Sequence, residues 1–297
     1  MEGYCARVKR RLDPFITMLS GIDALELDPE TKVIVLISRQ PGSRSLKAVL
    51  ERVSACKKPV VCNFIGCAVD PVKAAGAVPA TNLEEAACKA LKLVKNDHPL
   101  PDPSDLRKVA HESSKAMVAE QRYIRGLFCS GTFCDEAIAV ITPMVGAIHS
   151  NVPVRPDLKL ASSTVSVGHS IVDYGEEEFT IGRPHPVLDP EIRRRGILRE
   201  AEDPETAVIL LDFILGPAVH PDPVGVVIED IRAVKEKARS RGGHLAVVTS
   251  ICGTDRDPQN RGAQGKRLLE AGVIVAASNV QAAMLAGEIA RNRNGAR

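Results

Sequence analysis

The chain has 297 residues, 44% hydrophobic and 26% charged, which is typical of a soluble globular protein with room for two domains. Lys and Arg total 39 against 37 Asp and Glu, and aromatic residues make up only 3%, so neither the basic surface nor the stacking platform of a nucleic-acid-binding protein is expected. No apolar run follows the basic N-terminus, and polar residues interrupt the longest uncharged stretch, 271–287, so we expect a cytoplasmic protein without a membrane span.

The first predicted element is a helix that begins at an LDP motif, with Asp13 as N-cap and Pro14 at the first helical position. A buried strand, VIVLI, starts at Val33, and a helix follows over 45–55. A second strand starts at Lys58, and an AG turn then leads to a short apolar strand and a closing helix over 83–94. Because a crossover follows each strand, the pattern predicts a parallel sheet between layers of helices.

A Pro- and Asp-rich stretch from Asn96, NDHPLPDPSD, predicts a linker. We therefore predict a first domain over 1–97, a linker over 98–121 and a second domain over 122–297. The second domain opens with a strand from Tyr123 and a helix with Thr132 as N-cap. Periodicity fades over 151–182, where loops and short strands are expected.

The rest of the second domain repeats the first. EDPETAVILLDFILGP from Glu202 matches LDPETKVIVLISRQPG from Leu27 at an offset of 175 residues, and LDP recurs with Asp189 as the predicted N-cap. A helix over 227–240, a strand from His244, an AG turn and a helix over 280–290 follow in the same order. The sequence predicts an α/β protein with two tandem flavodoxin-like three-layer domains and parallel sheets.

The first candidate site is the turn CSGT, where a predicted strand passes into a helix. Small residues at a helix N-terminus let an anion approach the backbone N–H groups, so we predict anion binding by Ser130, Gly131 and Thr132. The alternative is a tight turn that only caps the helix.

The richest polar cluster is TIGRPHPVLDP. Arg183 offers a planar fork for carboxylate or phosphate, and His185 can donate, accept or be phosphorylated. Two prolines stiffen this loop before the helix at Asp189, so we predict anion binding by Gly182, Arg183 and Asp189, with His185 catalytic. The alternative is a rigid loop in which Arg183 pairs with the acidic run 176–178.

Two further loops follow strands of the second copy. We predict catalytic roles for His220 and Asp222 in AVHPDP, and anion binding by Thr254 and Asn260 in GTDRDPQN. For Asp255, Asp257 and Asn260 an Asx turn is favoured over a cation site.

The remaining chemistry-bearing residues favour structural roles. A structural role is favoured for His169 over phosphoryl acceptance. The eight cysteines lack a C-x-x-C pair, and Cys62, Cys67 and Cys252 are expected to be reduced thiols, with no metal site. Neither a P-loop nor a G-x-G-x-x-G motif occurs.

The blocks KPVVCNFIG, RYIRGLFCSGTFCDEA, EFTIGRPHPVLDP, HPDP and TDRDPQN resemble the FdrA family, whose members are relatives of succinyl-CoA synthetase. The resemblance implies tandem CoA-ligase domains, helix N-termini aimed at a phosphohistidine from Asp13 and Asp189, and use of CoA, ATP or carbamoyl phosphate. It also implies oxamate carbamoyl transfer in purine-ring catabolism.

The sequence departs from that family in two places. From the sequence we expect the usual N-terminal CoA-binding-type domain to be missing, and the loop after the second strand of the first copy, GCAVDP from Gly66, has no His to carry a phosphoryl group. The resemblance therefore implies an FdrA-like subunit of an acyl-CoA-synthetase-related or oxamate carbamoyltransferase assembly in allantoin or oxalurate breakdown. It would bind small anionic substrates and other subunits or a second copy of itself. The alternative is a non-catalytic scaffold or regulatory subunit.

Overall fold

The computed structural model describes residues 14–39, 41–94 and 104–294. The chain divides into two compact units, residues 1–101 and residues 102–297. Asp13, the predicted N-cap of the first helix, lies outside the described residues.

The first unit is a three-stranded parallel sheet, in the order β1-β2-β3, with helices on both faces. Its amphipathic second helix buries Val49 and Val53 against the sheet, as a surface helix with one apolar stripe should. In chain order the elements are α1 (Pro14–Leu27), β1 (Ile34–Arg39), α2 (Ser43–Ser54), β2 (Val60–Ile65), α3 (Asp70–Ala74), β3 (Val78–Pro79) and α4 (Leu83–Leu93).

The second unit is a six-stranded parallel sheet in the order β5-β6-β4-β7-β8-β9. In chain order its elements are α5 (Ser104–Lys115), β4 (Tyr123–Phe128), α6 (Gly131–Val145), β5 (Ile148–Ser150), a 3-10 turn (Pro156–Leu158), β6 (His169–Asp173), α7 (Glu177–Thr180), α8 (Glu191–Glu200), β7 (Thr206–Ile214), α9 (Ile228–Ser240), β8 (Ala246–Cys252), α10 (Arg261–Glu270), β9 (Ile274–Ala276) and α11 (Asn279–Asn294). The predicted α/β class with parallel sheets is confirmed.

The sequence repeat is reproduced in the strand register. Ile34 pairs with Val60 in the first sheet, and the residues that occupy these places in the second copy, Ile209 and Val247, also pair. The third strand agrees as well, because Val61 pairs with Val78 and their counterparts are likewise partners. The triple β1-β2-β3 is therefore repeated as β7-β8-β9.

Two sequence expectations fail on helices. The segment 98–121, predicted as a linker, contains α5, whose Ala110 is fully buried against the second unit's core, and Arg293 of α11 donates to the carbonyl of Val118 at 2.6 Å. The predicted copies also lack a helix between their second and third strands, where the structure has α3 and α10. The short length of α3 and the two glycines of α10 weaken the helical signal.

The second sheet reverses its strand order between β4 and β7. From β4 the chain moves outward through α6 to β5, whereas from β7 it moves the other way through α9 to β8. One apolar cluster includes α6 and α11 and the other includes α8 and α9, so the two crossovers cover opposite faces. Ligands of open parallel sheets bind beyond the strand ends at such a point. No helix of the described residues is long and apolar enough to cross a membrane.

Candidate functional site

A buried ion pair occupies the strand-order switch. Asp212, on β7, is fully buried, and its Oδ1 lies 3.2 Å from Nη1 of Arg193, which α8 supplies and which is 3% exposed. The guanidinium also donates to the carbonyl of Asp212 and lies 4.7 Å from the centre of the Phe213 ring. Sequence reasoning missed Arg193, since only the fold brings α8 over the end of β7.

The same carboxylate holds the start of α6. Its two oxygens accept hydrogen bonds from the backbone N–H groups of Cys129, at 2.8 Å, and Ser130, at 2.9 Å. Burial raises the pKa of the Asp212 carboxyl, whereas Arg193 and these two N–H groups oppose that rise. The backbone N–H groups of Cys129 and Ser130 are therefore already paired with the Asp212 carboxylate.

The predicted anion turn itself differs in its cap. Ser130, not Thr132, is the N-cap of α6, and its Oγ accepts from the N–H of Phe133 at 3.5 Å. The prediction of Thr132 as the N-cap is wrong, because α6 begins two residues earlier than predicted. The N–H groups of Gly131 and Thr132, in the first turn of α6, have no hydrogen-bond acceptor among the described residues.

The GRPHP loop reaches this turn through His185. A Cβ atom at Gly175, just after β6, would lie 2.9 Å from Nε2 of His185 and 3.1 Å from the carbonyl oxygen of Cys129. The absence of a side chain at 175 thus lets the loop approach the end of β4. His185 and Cys129, the first residue of the CSGT turn, therefore lie close together.

The ring of His185 is held in one tautomer. Its Nδ1 accepts a hydrogen bond from the N–H of Val187 at 3.3 Å, so the proton of the neutral ring is on Nε2. Burial lowers the pKa of His185, and the charge of Asp212 opposes this. The geometry therefore favours His185 as a neutral donor over an Nε2 nucleophile.

The other predicted site residues of this loop, Gly182, Arg183 and Asp189, are exposed. Arg183 makes no ion pair with any described residue, so its predicted alternative pairing with 176–178 is not observed. Gly182 adopts a φ of 71°, which favours glycine. Asp189 accepts from the N–H of Glu191 at 3.1 Å, but the N-cap position of α8 is Pro190, one residue later than expected.

His220 repeats the local geometry of His185, because its Nδ1 accepts from the N–H of Asp222 at 3.0 Å. The loops are also joined, since the N–H of His220 donates to the carbonyl of Val187 at 2.8 Å. Gln259, which sequence reasoning missed, donates to the carbonyl of His220 at 3.1 Å. Three loops thus form one connected edge.

Asp222, Thr254 and Asn260 all make hydrogen bonds within the protein. Asp222 accepts from Arg267 at 2.6 Å and from Gln264 at 3.1 Å, and these bonds hold its pKa below the usual range despite partial burial. Thr254 donates through its N–H to Asp257 at 2.6 Å, while Asn260 caps α10. No metal-binding cluster occurs in the described part of the chain, and Asp255 and Asp257 both accept backbone N–H groups.

His169 is a buried, hydrogen-bonded residue, and the cysteines of the described residues are free thiols. His169 is 7% exposed and its Nδ1 accepts from the N–H of Ile124 at 3.2 Å. Burial and the neighbouring Arg125 lower its pKa to about 4. Burial raises the pKa of Cys62 to about 12, and Cys67 and Cys252 are also free thiols.

Comparison with known proteins shows the family to which the chain belongs. The sequence profile of the CoA-ligase family matches residues 127–289, which include the ends of β4, β6, β7 and β8. The chain belongs to the CoA-ligase family.

The chain is 40% identical over 281 residues to the uncharacterized protein YahF of Escherichia coli K12. The match covers 92% of this chain and 53% of YahF, so the chain spans about half the length of that relative. Among solved structures, a dinucleotide-forming acetyl-coenzyme A synthetase 1 of Ca. Korarchaeum cryptofilum, in complex with phosphate and ADP, aligns with 13% identity and a TM-score of 0.41, covering 93% of this chain and 56% of that one. PH0766 from Pyrococcus horikoshii aligns with 11% identity and a TM-score of 0.32, covering 94% and 56%.

Proposed function

We propose that this CoA-ligase-family chain is an FdrA-like subunit of an acyl-CoA-synthetase-related assembly, and that its second unit binds a small phosphate or carboxylate. The reaction we assign to the assembly is oxamate carbamoyl transfer in allantoin or oxalurate breakdown, in which the C–N bond between the carbamoyl group and the oxamate nitrogen of oxalurate breaks, the carbamoyl group passes to phosphate, and oxamate leaves with the proton. We assign the protein to the cytoplasm.

The observation that carries the proposal is the meeting of two donor sets at the strand-order switch. The N–H groups of Gly131 and Thr132 are in the first turn of α6, which follows Cys129, and the Cys129 carbonyl oxygen and His185 Nε2 lie 3.1 Å and 2.9 Å from the same Cβ position at Gly175. Helix N-termini and neutral imidazole N–H groups both favour anions. Arg183, exposed on the same loop, adds a charged fork.

Each residue has a role in this proposal. The backbone of Gly131 and Thr132 and the guanidinium of Arg183 bind the anion, and Gly182 and Asp189 shape the loop. His185 donates from Nε2 to an oxygen on which charge develops. His220 is the corresponding catalytic residue of the adjoining loop, and its ring is in the same tautomer. Asp222 orients its loop through Arg267 and Gln264.

A second candidate function is a scaffold or regulatory subunit. The satisfied state of Asp212, Asp222 and Asn260 favours it, because each of these side chains already accepts hydrogen bonds within the protein. On that account the edge would keep the family's shape without binding a substrate.

Calorimetric titration of phosphate, carbamoyl phosphate and oxamate into the chain distinguishes the two. Arg183→Ala removes a charge-assisted hydrogen-bonding group of about 1.5–3 kcal/mol, so we expect affinity to fall roughly 10- to 150-fold. Arg232→Ala is the matched control, because Arg232 is an exposed arginine of α9. Unchanged affinity in Arg183→Ala would contradict the role of Arg183 in the site, and no binding of any of the three anions by the native chain would favour the scaffold.

A further inference from the structure

The outer edge of β1 differs between the two copies of the repeat. In the second unit, β7 is hydrogen-bonded to β8 on one side and to β4 on the other. Its counterpart β1 is an edge strand, paired within the described residues to β2 alone. The second copy therefore shows which kind of element pairs with the outer edge of this strand when that edge is covered.

The exposed side chains lie on the same strand. Val35 is 38% exposed and Ile37 is 43% exposed, whereas their counterparts Leu210 and Asp212 are fully buried. Leu210 belongs to an apolar cluster that contains Ile124 of β4 and Ile138 of α6. The first unit has α4 in the place of α11, but no described element corresponds to β4 or α6.

The unused backbone groups of β1 are those of the exposed residues. The N–H of Ile34 donates to the carbonyl of Pro59, and in a parallel pair alternate residues bond to the same neighbour. The N–H and C=O groups of Val35 and Ile37 thus face away from β2. An edge strand with apolar residues and unpaired backbone groups is a template for another strand.

We propose that β1 is the docking edge for a strand-helix unit equivalent to β4-α6, whose strand pairs parallel to β1 and whose helix covers Val35 and Ile37 beside α4. The source we assign is a polypeptide equivalent to the part of YahF that lies outside the matched 281 residues, since that relative is about twice as long as the match. The inference is independent of the anion site, which lies in the second unit.

Hydrogen exchange of the full chain tests the open edge first. The amides of Val35 and Ile37 are expected to exchange rapidly while that of Leu36 stays protected. Co-expression with the unmatched part of YahF is then expected to yield a complex in which those two amides are slowed at least about 100-fold. Protection of both amides in the chain alone would mean that the chain or a second copy already covers this edge, and would overturn the proposal.

Variants separate this edge from other surfaces. The double variant Val35→Lys/Ile37→Lys places two charges where the helix would pack, so binding is expected to weaken at least about tenfold. Ile16→Lys on α1 is the control, because Ile16 is a similarly exposed apolar residue, at 54%. Absence of a complex, equal binding by the double variant, or binding that leaves the β1 amides unprotected would each contradict the proposal.

Discussion

At the scale of single residues, the Arg193–Asp212 pair shows how this fold holds a charge in its interior. Neither group is solvated, and the carboxylate accepts from Cys129 and Ser130 as well as from Arg193. The pair joins α8, β7 and the start of α6. Removing one partner leaves the other charge buried without compensation, which costs about 3–5 kcal/mol.

We therefore expect Arg193→Met to lower the free energy of unfolding by about 3–5 kcal/mol, and Asp212→Asn by a similar amount. The double variant should lose less than the sum, because it leaves no unpaired charge. Urea unfolding of the four proteins measures this coupling. Strict additivity would show that the two residues do not act as a pair.

His169 gives the second unit a predictable response to acid. Its folded-state pKa of about 4 lies below the ordinary 6.5, so folding favours the neutral ring. The stabilisation is fully present above pH 6.5 and is lost as the pH falls from 6.5 towards 4, by up to about 3 kcal/mol.

Unfolding free energies measured between pH 7 and 4 should fall less in His169→Asn than in the native chain. Asn cannot titrate but keeps an acceptor for the N–H of Ile124. His111→Asn on α5 is the control for loss of a histidine. An unchanged pH profile in His169→Asn would refute this assignment.

At the scale of elements, α6 tests where a helix begins. The structure makes Ser130 the N-cap, whereas the sequence pattern favoured Thr132. Ser130→Ala should cost about 1 kcal/mol, and Thr132→Ala less than about 0.5 kcal/mol. Thermal unfolding of both variants decides between them, and a larger loss in Thr132→Ala would support the sequence-based boundary.

How far sequence predicts these elements depends on where the signal resides. The strands β1 and β7 are continuous apolar runs that recur in the internal repeat, so their existence followed from the residues, whereas their register is shown by the structure. Helix α5 was hidden by the prolines before it, although Leu106, Val109 and Ala110 form an apolar stripe. The Arg193–Asp212 contact had no local signal, because it arises only when α8 packs over β7.

At the scale of the whole molecule, one duplicated framework contains the buried Arg193–Asp212 ion pair in one copy only. The residues at the places of Arg193 and Asp212 in the first copy are Thr17 and Ile37. Thr17 and Ile37 cannot form an ion pair, and Ile37 lies on the exposed edge. The first unit therefore retains the strand register of the second without the buried Arg–Asp ion pair.

The most direct test is a map of backbone amide chemical shifts while carbamoyl phosphate is added to the chain. Anion binding at the strand-order switch predicts saturable shifts of Gly131, Thr132 and the loop around His185, and none at the matching strand ends of the first unit. The dissociation constant from these shifts should rise in Arg183→Ala and stay unchanged in Arg232→Ala. Shifts confined to the first unit, or no shift at saturating ligand, would contradict the account.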